Sequence, residues 1–278
     1  MENILEVKNL NKSYDTFSLK NVSFEIPKGY IMGFVGPNGA GKTTTIKSML
    51  NIIRYQSGEV KTLLDNEQIG VVMDSPFYVD DWKVSDVEKA ISPFYRNWDS
   101  GKYSELLKRF NIDKKKKIKE LSRGMKVKLM IAAALSHDAK LLILDEPTSG
   151  LDPVARDELC DILGEFVTDE NKSIVFSTHI TSDLEKIADF ITFILNGQIV
   201  YSGTKEGLLE KYVSVKGGLD EINREQKQLI IGLREHATGF EGITETENIA
   251  KLPKELLVEP VTIDEIIIFM NKGAKLHE

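Results

Sequence analysis

Gly36-Pro37-Asn38-Gly39-Ala40-Gly41-Lys42-Thr43 is the stretch that most limits what this 278-residue chain can become. It spells G-x-x-x-x-G-K-T. It follows the apolar run YIMGFVG and opens a segment whose spacing predicts a helix from Thr43 to Ile53. Strand, glycine-rich turn and helix in that order form a nest whose backbone N–H groups point inward with no side chains in the way. The helix N-terminus adds partial positive charge at the same point. Such a nest takes the phosphates of a nucleotide: Lys42 reaches the β- and γ-phosphates, and the Thr43 hydroxyl takes a place on Mg²⁺.

A second element completes this chemistry. The run LLILDE, Leu141 to Glu146, is continuously apolar before two acids, as expected of a central parallel strand. An acid at the carboxyl end of such a strand can hold the water shell of Mg²⁺, and Asp145 stands in that position. Glu146 is placed to orient and deprotonate an attacking water. Together the two stretches describe a P-loop ATPase.

Composition narrows the setting. Hydrophobic residues make up 41% of the chain and charged residues 28%, ordinary for a globular protein with a real core. The net charge of −7 argues against bulk nucleic-acid binding, so no nucleic-acid partner is expected. A single cysteine, Cys160, excludes an intramolecular disulfide and fits a reducing cytosol. The opening residues MENILEVKNL lack the pattern of a signal peptide, and no apolar run approaches the roughly 18 residues of a membrane span. A soluble chain is expected, so any work at a membrane requires another polypeptide to supply the span.

Along the chain, ILEVKNL and LKNVSFEI alternate as antiparallel strands with one buried face, and QIGVVMD and SIVFSTH read as short buried strands. From Ser75 to about Leu135 the pattern is helical with aromatic loops. Asp152-Pro153 begins a helix with an N-cap and a first-turn proline. Ser182 to Glu185 and Thr262 to Glu265 read as capping boxes, and FITFILNGQIVYSG as a hairpin turning on Asn196-Gly197. The last helix carries Ile263, Ile266, Ile267 and Met270 on one face, with Gly273 as its stop. His137 is placed in a turn before the Leu141 strand, Cys160 inside a helix, and Lys114–Lys117 on a solvated face.

Further motifs resemble the nucleotide-binding subunit of an ABC transporter, in the right order over residues 1 to about 210. DEPTSGLDP resembles that family's Walker B and D-loop, with Asp152 as the D-loop acid. His179 in FSTHI falls on its switch histidine. Tyr14, 22 residues before Gly36, falls on the aromatic that stacks on adenine, and LSRGM (Leu121 to Met125) falls on the signature usually written LSGGQ. The resemblance implies an α/β fold: a P-loop NTPase core with an antiparallel β subdomain and a helical subdomain at about 75–135, followed by a small C-terminal α+β extension over 211–278. It implies that Gly36 to Thr44, Tyr14, Ser122, Gly124 and Asp152 bind ATP, that Thr43, Asp74 and Asp145 serve Mg²⁺, and that Glu146 and His179 are catalytic. Asp74 stands where the family has its Q-loop glutamine, and Arg123 and Met125 depart from the usual signature.

The implied protein works as a head-to-tail dimer, with itself or with a related subunit, on separate transmembrane permease subunits at the inner face of the cell membrane. The tail from Lys211 resembles the short extension of drug- and peptide-exporter ATPases, which points to export of a drug, antimicrobial or peptide. The ATPase of an importer and a soluble regulatory ABC-type ATPase remain the alternatives. Trp82, Trp98 and the two Ser-Pro-Phe-Tyr copies lie where the family receives a helix of the membrane subunit, and core packing explains such aromatics equally well.

Overall fold

A computed structural model describes residues 2–74 and 78–275. Strands β1 (Asn3–Ser13) and β2 (Ser18–Pro27) pair antiparallel, as their alternation predicts, burying Leu5, Val7 and Leu10 against Leu19, Val22, Phe24 and Ile26. β3 (Ile31–Val35) is buried throughout and leads through the glycine loop into α1 (Lys42–Met49). The helix expected to reach Ile53 stops at Leu50, because Asn51 turns the chain into the left-handed region at φ 54°. β4 (Ser57–Thr62) then joins β1 in a sheet ordered β2-β1-β4. Its sequence, SGEVKT, gives no alternating signal because only Val60 is even partly buried.

The remaining elements follow in chain order. They are β5 (Ile69–Val72), α2 (Val84–Ile91), α3 (Ser100–Arg109), α4 (Arg123–Leu135), β6 (Leu141–Asp145) and α5 (Pro153–Phe166). Next come β7 (Ser173–Thr178), α6 (Thr181–Ile187), β8 (Phe190–Leu195), β9 (Gln198–Thr204) and α7 (Lys205–Lys211). The last part holds β10 (Tyr212–Gly217), α8 (Arg224–Lys227), β11 (Ile231–His236), β12 (Gly239–Glu245), β13 (Leu257–Pro260) and α9 (Ile263–Lys275). The central sheet has six strands in the order β5-β6-β7-β3-β8-β9, parallel except for β9. β8 and β9 form the expected hairpin, with Asn196 at φ 48° and Gly197 at φ 75°, the paired positive values of a tight primed turn.

In the helical subdomain the aromatics divide by burial. Tyr95 stacks on buried His137 at 3.8 Å, and Trp98 packs against Tyr103 at 5.4 Å and donates from Nε1 to Glu88. Phe94 of the second Ser-Pro-Phe-Tyr copy is instead 76% exposed. Ser75, Pro76 and Phe77 of the first copy lie outside the described residues. Lys114 and Lys117 of the basic run reach acids on neighbouring segments, Glu88 and Asp81, at 3.8 and 3.4 Å.

The chain after α7 builds a second antiparallel sheet, β11-β12-β10-β13. α9 packs across it and shares one core with the central sheet through Ile263, Ile266, Phe269 and Met270. Its capping box is present: Glu265 N donates to Thr262 Oγ1 at 3.2 Å, and Thr262 N to Glu265 Oε2 at 2.9 Å. Two expectations are corrected. Gly273 does not stop α9 but lies inside it, where Gly232 of β11 comes close to its bare Cα. Ser182 to Glu185 is not a capping box, because α6 already begins at Thr181; Thr178 Oγ1 receives the Ile180 N–H at 3.0 Å instead.

Cys160 is buried in α5, and burial pushes its thiol up to about 11. At pH 8 only about one part in a thousand would be thiolate. A thiol reagent is expected to label the folded chain far more slowly than the urea-unfolded chain, which a timed absorbance assay checks.

Candidate functional site

The site forms where strand ends meet. β3, β7 and β6 are neighbours in register, with Val35 opposite Thr178 and Asp145 opposite Ser177, so the residues that follow these strands emerge at one level. This is the carboxyl edge of a parallel sheet, the usual place for a ligand in an open α/β fold.

The loop after β3 curves through Gly36, Pro37, Asn38 and Gly39, held by a bond from Ala40 N to Pro37 O at 3.1 Å. Gly41 ends it at φ 113°, and a Cβ there would stand 2.6 Å from Leu19 and 2.8 Å from Phe17. Backbone conformation and space both demand glycine at this position. α1 carries no acidic residue in its first turn, so nothing on the helix offsets its positive end. Lys42 is buried, donates from Nζ to Gly36 O at 2.7 Å and lies 3.1 Å from Glu146 Oε1. Thr43 donates from Oγ1 to Asp145 Oδ2 at 2.8 Å.

The acids are held as firmly. Ser177 donates to Asp145 Oδ1 at 2.6 Å while accepting the Glu146 N–H at 2.9 Å, so one hydroxyl orients both. Glu146 sits at φ 51°, a strained conformation for a residue with a side chain, of the kind that clusters at functional positions. Its Oε2 lies 2.7 Å from His179 Nδ1. A buried cation, a carboxylate and an imidazole thus form one chain: Lys42, Glu146, His179.

These residues line a cavity of about 730 Å³ together with Asn38, Gly39, Gly41, Thr43, Thr44, Asp74, Arg123, Ser149, Thr16 and Phe17. Of the two aromatics between β1 and β2, Phe17 lines it and Tyr14 is not among the lining residues. Tyr14 lies in the same loop, its N–H donating to Phe17 O at 2.8 Å, with the Lys12 ammonium 4.8 Å over its ring. Ser122 caps α4 by accepting the Met125 N–H at 3.2 Å, and Gly124 packs beside Leu151. Asp152 caps α5, accepting from Val154 N and Ala155 N, and these bonds, Ala155 first, hold its carboxyl below the usual range. Ser122, Gly124 and Asp152 lie outside the cavity of their own chain. Ser177, Ser149, Thr16, Phe17 and the inward side chain of Arg123 are the residues that sequence reasoning missed. For Ser177 the available signal was a hydroxyl at the end of the strand beside His179.

Fold and site define the class: a P-loop ATPase in which Glu146 and His179 share one cavity with Lys42 and Thr43. The ABC transporter family model matches residues 19–149. The chain is 37% identical over 214 residues to the lantibiotic transport ATP-binding protein SrtF of Streptococcus pyogenes, a match covering 73% of this chain and 92% of that protein. It is 31% identical over 212 residues to the bacitracin transport ATP-binding protein BcrA of Enterococcus faecalis, covering 72% and 69%. A solved ATP-binding subunit of an ABC transporter superposes with a TM-score of 0.66 at 27% identity, covering 74% of this chain and 91% of that one. The chain belongs to the ABC transporter ATP-binding family, and it is an ATPase that powers a transporter.

Proposed function

We propose that this ATPase drives export of an antimicrobial peptide through a separate membrane subunit. The likeness to SrtF over nearly all of that protein's length carries the reading, and the likeness to BcrA supports the same cargo class. Among the described residues no helix is long and apolar enough to cross a membrane, which fits a chain that borrows its span from a partner at the inner face of the cell membrane.

The geometry supports a role for each residue. The glycine nest and Lys42 hold the phosphates, and a phosphate that takes Lys42 competes with Glu146 for it, leaving the carboxylate free to accept a proton from water. His179 keeps Glu146 turned toward the cavity and stabilises its charge. Mg²⁺ fits this donor set, because Thr43 Oγ1 and Asp145 are hard oxygens already within 2.8 Å of each other, with Ser177 fixing the carboxylate. Thr43 and Asp145 would hold it and Asp74 lies on the same cavity; when bound, it neutralises charge on the phosphates. Ser122 and Gly124 are not among the residues lining their own chain's cavity, which supports a head-to-tail dimer in which they face the nucleotide of the second subunit. Tyr14 or Phe17 supplies the adenine platform.

In whole cells carrying the chain and its membrane subunit, resistance to a lantibiotic or to bacitracin should rise, and Glu146→Gln should remove the gain. Unchanged resistance to both peptides would overturn the cargo assignment.

Docking on the membrane subunit is assigned to the exposed aromatic. Phe94→Ala should leave basal ATPase activity intact and lower its stimulation by the membrane subunit severalfold, whereas Trp98→Ala should lower the melting temperature. Equal stimulation of the Phe94 variant and the parent would exclude that residue from the contact.

A further inference from the structure

We infer that Asp74 and Arg123 act as one matched pair, with Arg123 the positioning residue that ties the opening turn of α4 to the loop leaving β5 across the phosphate cavity of its own chain. Both are departures from the usual family residues, and they lie 49 residues apart in sequence. The structure brings them together: Arg123 donates from Nη2 to Asp74 Oδ1 at 2.7 Å, and both line the cavity that holds Lys42 and Thr43. A third segment joins them. Gly150, at φ 71° in the loop between Glu146 and Asp152, lies under the guanidinium so closely that a Cβ there would stand 3.1 Å from Arg123 Nε. Arg123 therefore touches the loop after β5, the start of α4 and the loop after β6 at once.

Each departure alone carries an electrostatic cost that the other offsets. A cation at the first residue of α4 opposes the positive end of the helix. A carboxylate at Asp74 adds negative charge to a cavity shaped for phosphates. Paired, the two charges offset each other. The guanidinium is 51% exposed and the carboxylate 52%, so the pair is modest in strength and suited to being made and broken.

The test is a double-mutant cycle on the full chain: parent, Asp74→Ala, Arg123→Ala and the double variant. Backbone amide exchange is followed without nucleotide and without Mg²⁺, so whatever Asp74 does toward the cation does not enter. Arg123→Ala should speed exchange in residues 72–74, and Asp74→Ala in residues 123–126. The double variant should match the singles rather than multiply them, with each change about two- to fivefold, as for an exposed ion pair. In the ATPase assay, Arg123→Ala should lower kcat by a similar factor with KM little changed, and Arg123→Lys should recover most of it. Exchange that changes only at the substituted segment, effects that multiply in the double variant, or an Arg123→Lys variant no better than Arg123→Ala would each overturn the pairing.

Discussion

Replacing Glu146 by Gln is expected to stop ATP turnover while leaving ATP binding in place. The carboxylate bridges Lys42 and His179, with its oxygens 3.1 Å from the ammonium and 2.7 Å from the imidazole. Glutamine keeps the shape but cannot accept a proton at neutral pH. Loss of a general base costs typically 10²- to 10⁴-fold, so phosphate release should fall by about that factor. The variant should also collect as an ATP-dependent dimer, visible by size-exclusion chromatography with ATP and Mg²⁺. Hydrolysis at the parent rate would remove Glu146 from the role.

Lys42→Ala should act one step earlier, on binding itself. The ammonium is buried and held over the nest by the Gly36 carbonyl, so it meets the phosphates already oriented. Charge-assisted hydrogen bonds are worth about 1.5–3 kcal/mol, roughly 10- to 150-fold in Kd. The structure adds a second cost: without Lys42, the mostly buried Glu146 carboxylate loses its cation and repels the incoming phosphates. Lys42→Ala with Glu146→Gln should therefore bind ATP more tightly than Lys42→Ala alone. Calorimetry decides both points, and an unchanged Kd in Lys42→Ala would contradict the assignment.

How much of this was legible depends on where the information lies. The nest, the buried strand ending in Asp145 and Glu146, and the cap at Asp152 are local patterns, and the structure shows each in place. β4 was missed because its side chains face solvent and leave no period. The end of α1 was overrun because Asn51 stops a helix through backbone conformation and not through polarity. Ser177 was missed because all of β7 is buried, so burial alone does not separate a core hydroxyl from one that orients two acids, and only its place near His179 marks it. Arg123 and Asp74 were each visible as an oddity, but only the fold makes them a pair, because long-range ion pairs have no periodicity to read.

The stretch LSRGM remains the decisive point. Ser122 caps α4, Gly124 keeps the backbone bare of a side chain, and Asp74 answers the charge of Arg123, so LSRGM should work as it stands. The direct measurement is phosphate release from Mg²⁺ and ATP by the unaltered chain assembled with its membrane subunit. Steady turnover, lost on Ser122→Ala or Gly124→Asp and changed only severalfold by Arg123→Gly or Met125→Gln, is the predicted result. A chain that hydrolyses nothing until Arg123→Gly is introduced would contradict it.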